Sequence, residues 1–140
     1  MTTRILILCP HNAAKSVAAA AYLGRTADEL GLDLHIDTAG THPDPDVNPV
    51  VRRELEGEGL SVDSTPRTVT ESDLARADRI VNIGCSHLEL PIERPVEDWT
   101  IPDFSLDSDA AFAALRGHVS ELAGELHTDD HAVRSRTMNP

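Results

Sequence analysis

Arg4-Ile5-Leu6-Ile7-Leu8-Cys9 is a short, almost wholly apolar run, broken at Pro10-His11-Asn12 and followed by Ala13-Ala14-Lys15-Ser16. A continuous run of this kind, rich in Ile and Leu, is what a parallel strand buried on both faces requires. From Ser16 to Leu30 the chain is Ala-rich with apolar residues at helical spacing, and Gly31 supplies the stop. Outward from this strand–loop–helix unit the alternation continues. Leu34 to Thr38 is expected as a second strand, ending in the turn Ala39-Gly40-Thr41-His42-Pro43. Val50 to Glu58 reads as a helix closed by Gly59, and Thr68 to Ala77 as another, with Glu71 and Asp73 in its first turn. Arg79 to Gly84 is a third buried strand, and Arg94 to Trp99 holds a short edge strand that tolerates Pro95 only at its start. Asp109 to Leu126 is amphipathic, with Phe112, Leu115, Val119, Leu122 and Leu126 on one stripe. Thr128 to Pro140 is polar and expected to fray.

Strands alternating with helices predict an α/β domain with a mostly parallel sheet. The 140 residues fit one domain, assigned to residues 1–127 with a polar tail at 128–140. Hydrophobic residues are 40% and charged residues 26%, enough for a packed core. Twelve Lys plus Arg against 24 Asp plus Glu give 12 − 24 = −12, which argues against nucleic acid or an anionic membrane as partner. No run approaches the ~20 apolar residues of a membrane span, and no secretory signal is read at the start. Two cysteines, Cys9 and Cys85, are too few for a disulfide scaffold, so a reducing cytoplasm is the expected location.

In parallel α/β sheets ligands sit outside the carboxyl ends of the strands. Cys9 to Ser16, Thr38 to Pro43 and Gly84 to His87 are all expected there. A loop between strand and helix can turn its backbone N–H groups, with those of the helix N-terminus, toward an anion. Cys9 would point into this loop. Only a few per cent of a free thiol is thiolate at pH 7, and helix-terminal N–H groups, Lys15 and the Ser16 hydroxyl would each favour the anion. Asn12 tolerates the left-handed backbone of a tight cradle. Two other readings stand beside this one. Cys9 alone would more often be a buried apolar residue. Ala14-Lys15-Ser16 also echoes the end of a nucleotide loop, but Cys9 and Ala14 occupy both glycine positions of that motif, which rules it out.

The spacing of Cys9, five residues, Lys15 and Ser16 resembles the signature of the low-molecular-weight protein tyrosine phosphatases and of the arsenate reductases sharing their fold. His11-Asn12-Ala13 is most similar to the actinobacterial, small-thiol-dependent reductases. Thr38-Ala39-Gly40-Thr41, Val47-Asn48-Pro49, Ala77 to Val81, Ile83-Gly84-Cys85 and Val96 to Asp103 follow the same order, so the resemblance covers residues 4 to 127. It implies a flavodoxin-like, three-layer domain with a four-stranded parallel sheet. It also implies Cys9 as nucleophile toward arsenate, Pro10, His11, Asn12, Ala13 and Ala14 as the substrate cradle, Lys15 as its cation, Ser16 as the hydroxyl serving the thiolate, and Asp103 as the acid. The substrates implied are arsenate, phosphate or a phosphotyrosine-like ester. No bound cofactor is expected; the implied reductant is a low-molecular-weight thiol of the mycothiol kind.

The chain departs from the signature at Lys15, where the family has Arg. Lysine keeps the charge but lacks the planar fork that grips an oxyanion with two bonds. One charge-assisted bond fewer, at roughly 1.5–3 kcal/mol, slows the reaction about 10–150-fold. Ala14 stands where Gly is usual, and Phe104 where Pro usually follows the acid, as either a rim aromatic or a core contact. Cys85 lacks the partner that an internal thiol relay needs and is expected to pack beside the site. Seven histidines, His11, His42 and His87 among them, show no metal-ligand spacing, so no metal is expected. His11 is expected to shape the loop. Phosphatase action on aryl phosphates, and oxyanion binding without turnover, remain the alternatives.

Overall fold

The run from Thr3 to Leu8 forms β1, the second strand of a four-stranded sheet, in a computed structural model describing residues 2–86 and 95–138, with side chains through Asp130. Its neighbours are β2 (Leu34–Ala39) and β3 (Arg79–Asn82), and the order is β2-β1-β3-β4, with β4 reduced to Glu97–Asp98. Every pairing is parallel, with Ile5 opposite Ile36 and Arg79, and Leu8 opposite Ala39 and Asn82.

Side chains of β1 alternate between two apolar layers, as the two-residue period of a strand demands. Ile5, Ile7 and Cys9 join the larger layer, with Val17, Tyr22 and Leu23 of α1 (Lys15–Leu30), Val51 and Leu55 of α2 (Pro49–Gly57) and Phe112 to Leu126 of α4 (Ser108–Met138). Leu6 and Leu8 face the other layer, with Ala39, Leu74 of α3 (Glu71–Arg76), Ile80 and Cys85. Helices thus cover both faces of a four-stranded parallel sheet, as the flavodoxin-like expectation requires.

Four local outcomes differ from the sequence expectation. The β3 ladder ends at Asn82 rather than Gly84, because the Asn82 amide turns back on Cys85, accepting from its N–H at 2.9 Å and donating to its C=O at 3.0 Å. The third helix starts at Glu71 because Thr68 bridges Gly40, and Thr70 forms a capping box with Asp73. The edge strand shrinks to two residues; Arg94, where it was expected to start, lies outside the described residues, as does His87. The segment expected to fray from Thr128 is helical through Met138. Neither Gly nor Pro occurs between Gly124 and Pro140, so nothing interrupts the backbone ladder.

Candidate active site

Beyond β1 the chain makes a tight loop in which three carbonyls turn outward. The Pro10 C=O accepts from His42 N–H at 2.7 Å, that of His11 from Asp44 at 3.0 Å, and that of Ala13 from Asn48 at 2.8 Å. Peptide planes are rigid, so a carbonyl pinned outward aims the following N–H inward. Among the described residues, none of the N–H groups from His11 to Lys15 donates to a protein acceptor. Such free donors at a helix start are what an oxyanion needs. The loop closes through Asn12 at φ 49°, the one non-glycine residue with positive φ among the described residues. Ala14 has φ −134°, so no glycine is required there. Gly40 lies against the loop: a Cβ there would meet the Cys9 and Pro10 carbonyl oxygens, each at 2.6 Å.

Cys9 Sγ lies inside this loop, 2.9 Å from Ser16 Oγ and 3.4 Å from the Ser16 N–H. The direction of the hydroxyl bond follows from its neighbours. The Arg67 backbone N–H, which can only donate, reaches Asn12 Oδ1 at 3.0 Å. That fixes the amide so that Asn12 Nδ2 donates to Ser16 Oγ at 2.9 Å. The Ser16 proton is then not drawn to Asn12, and a Cys9 thiolate, having no proton of its own, can only accept it. Cys9, Asn12 and Ser16 are all buried, so these bonds act where water competes little.

A cavity of about 370 Å³ opens above the loop. Cys9, Pro10, His11, Ala13, Ala14 and Lys15 line it from below, and Asp103, Phe104 and Ser105 form one wall. Asp44 and Asn48 also line it, and neither was singled out as a candidate from sequence. Their signal was available in part: Asn48-Pro49 is a helix start, and Asn48 Oδ1 does cap α2 through Val50 N–H at 2.8 Å. His11 turns its ring outward, with Nδ1 at 3.0 Å from the His42 carbonyl and 3.4 Å from Asp44 Oδ1. Phe104 both lines the cavity and packs edge-on against Phe112, with ring centroids 4.8 Å apart.

Asp103 accepts from Ser105 Oγ at 2.7 Å and from Ser105 N–H at 2.8 Å. These two bonds, then the nearby Lys15 charge, hold its carboxyl below the usual carboxylate range. Without substrate it is therefore an anion. Lys15 makes no ion pair among the described residues and also lines a second cavity, of about 300 Å³, with Asn82, Asp98 and Trp99. Cys85 borders that second cavity from the opposite sheet layer to Cys9, its sulfur 3.9 Å from Thr41 Oγ1, and neither cysteine is in a disulfide. No group of three His, Cys, Asp or Glu among the described residues could hold a metal, and no described helix is long and apolar enough to cross a membrane.

Comparisons with known proteins bear on the family and the fold. A curated Halobacterium salinarum protein, provisionally assigned as an arsenate reductase, is 34% identical over 106 residues, which are 73% of this chain and 75% of that one. The crystal structure of an Archaeoglobus fulgidus arsenate reductase superposes with a TM-score of 0.74 at 31% identity, covering 86% of this chain and 98% of the other. A Corynebacterium glutamicum thioredoxin-dependent arsenate reductase shares the fold at a TM-score of 0.75 and 20% identity. That match covers 91% of this chain but only 63% of the other's length. The sequence profile of the low molecular weight phosphotyrosine protein phosphatases matches residues 4–135, and the chain belongs to that family.

Proposed function

We propose that the chain reduces arsenate, with Cys9 as nucleophile and a low-molecular-weight thiol, RSH, of the mycothiol kind as reductant. The observation that carries this is the run of unpartnered N–H groups, His11 to Lys15, around a sulfur that receives the Ser16 hydroxyl. In the first step the Cys9 thiol and H₂AsO₄⁻ give Cys9–S–AsO₃H⁻ and water. Asp103 stands at the cavity wall to protonate the departing oxygen, and the negative oxyanion beside it raises its affinity for that proton. RSH then attacks the Cys9 sulfur, forming Cys9–S–S–R and releasing H₂AsO₃⁻. Arsenic gains the two electrons that the two thiols lose. A second RSH restores the Cys9 thiol and leaves RSSR. Cys85 supports an external thiol in this reading, because it has no second cysteine with which to complete an internal relay. A thiol nucleophile also suits a reducing compartment, and we infer the cytoplasm.

Phe104 favours one second reading: its ring lines the cavity where the aryl group of a phosphotyrosine-like ester would lie. The same thiolate attack would then transfer phosphate to Cys9, and water would complete hydrolysis.

Arsenate consumption with mycothiol, run beside 4-nitrophenyl phosphate hydrolysis for wild type and Cys9→Ser, separates these readings. Thiol-dependent arsenate loss that vanishes in Cys9→Ser is expected. Nitrophenol release without arsenate loss would transfer the chain to the phosphatases. Silence in both assays with phosphate still bound would mean an oxyanion-binding module.

A further inference from the structure

We propose that Arg67, locked by Asp73, is a positioning residue for Cys9: its backbone N–H sets the polarity of the Asn12–Ser16 relay and so keeps the Ser16 hydroxyl available to donate to the Cys9 thiolate. This rests on the reading of Cys9 as nucleophile. Asn12 is held in the left-handed region, and its side chain has polar partners at both ends: Arg67 N–H on Oδ1 and Ser16 Oγ on Nδ2. An amide rotated by half a turn would fit the same space. It would then offer Oδ1 to Ser16, whose hydroxyl would donate to Asn12 instead of to Cys9. The Arg67 N–H forbids that rotation, because Nδ2 cannot accept from it.

Arg67 belongs to the segment between α2 and α3, outside any helix or strand. Its place is set by pairs reaching in two directions. Toward the sheet, its C=O accepts from Gly40 N–H at 2.9 Å, while Val69 N–H reaches the Gly40 C=O at 2.9 Å. Toward α3, its guanidinium forks onto Asp73 at 2.8 and 3.0 Å. Asp73 is itself immobile: its side chain is 3% exposed and it closes the capping box with Thr70. A two-pronged Arg–carboxylate pair fixes orientation as well as distance, which a single surface ion pair does not. Helix α3 and the nucleophile, on different elements, are thereby joined by one unbroken line of hydrogen bonds: Asp73, Arg67, Asn12, Ser16, Cys9.

The test is iodoacetamide alkylation of Cys9 from pH 6 to 10, in a Cys85→Ala background so that one thiol reacts. Arg67→Met keeps the backbone N–H but removes the fork, and Asp73→Asn keeps an acceptor for the cap but removes the charge. Loss of one well-placed hydrogen bond predicts alkylation about three- to tenfold slower at pH 7 in both variants, with the pH 10 rate unchanged. Arg67→Lys should recover part of the loss, and Arg67→Met should add nothing once Ser16→Ala has removed the hydroxyl. A lowered melting temperature with an unchanged pH–rate profile would overturn the proposal and make the pair a scaffold only. Equal slowing at every pH would also overturn it. Wild-type Cys9 reacting no faster than free cysteine at pH 7 would remove the nucleophile itself, and the clamp with it.

Discussion

Gly40→Ala is the smallest change that should disable the loop without altering any side chain of the site. The new Cβ would lie 2.6 Å from two carbonyl oxygens, those of Cys9 and Pro10, and 3.0 Å from Asn12 N. These are backbone atoms of the cradle, so no flexible side chain can yield. Relief to ordinary contact requires the loop to retreat by a sizeable fraction of an ångström. Overpacking of this kind costs about 1–3 kcal/mol, which for a chain of 140 residues lowers the melting temperature by roughly 3–10 °C. The kinetic effect should be larger, since misplacing reacting groups by ~1 Å costs on the order of a hundredfold. Thermal unfolding followed by circular dichroism gives the first quantity, and kcat for the Cys9-dependent reaction the second. Wild-type kcat together with a wild-type melting curve would refute the claim that Gly40 is present because the loop leaves no room for a methyl group.

Lys15→Arg should raise kcat about tenfold or more if the loop accepts a planar fork; a decrease would show a cavity built around an ammonium. Asp103→Asn should slow esters of poorly acidic alcohols by about a hundredfold or more and nitrophenyl phosphate much less, because only the former need a proton on leaving. Equal slowing would remove Asp103 as the acid. The Arg67 guanidinium, foremost among the groups around Asp73, lowers its carboxyl to about 2 from the usual 3.8. A carboxyl depressed in the folded state stabilises above its unfolded pKa, and that contribution fades as pH falls from near 4 through 2. After allowing for the part-exposed guanidinium, it is worth about 1–2 kcal/mol. Urea unfolding of wild type and Asp73→Asn should therefore differ by that amount at pH 7 and converge near pH 2; a gap that persists at pH 2 would refute the sign.

Contiguous sequence told most about the strands and about the Cys9 to Ser16 loop. β1 could be read because apolar residues occupy both of its faces, and α1 because alanines at helical spacing lead to a glycine stop. The loop could be read because nucleophile, turn residue, cation and helix start lie within eight residues. Distance along the chain hid the rest. Arg67 reaches Asn12 across 55 positions, and nothing in Ser64-Thr65-Pro66-Arg67 distinguishes an arginine whose backbone matters from one that solvates a loop. In the sequence Gly40 is one residue of a turn; its near-contact with the Cys9 carbonyl depends on the β1–β2 register. The helical end of α4 has another reason: an apolar stripe reports burial, whereas helix continuation needs only the lack of Gly and Pro after Gly124.

The outward-pinned carbonyls of Pro10, His11 and Ala13 have a consequence for discrimination. A ring of N–H groups measures charge and tetrahedral shape, and arsenate and phosphate present nearly the same of each. In the proposed arsenate reduction, the loop would therefore make inorganic phosphate a competitor that no rearrangement of its amides would exclude. Selectivity for arsenic would have to arise after capture, from a two-electron exchange that arsenic(V) undergoes readily with thiols and phosphorus(V) does not. The rate against a background of phosphate would then be set by how often the wrong anion leaves.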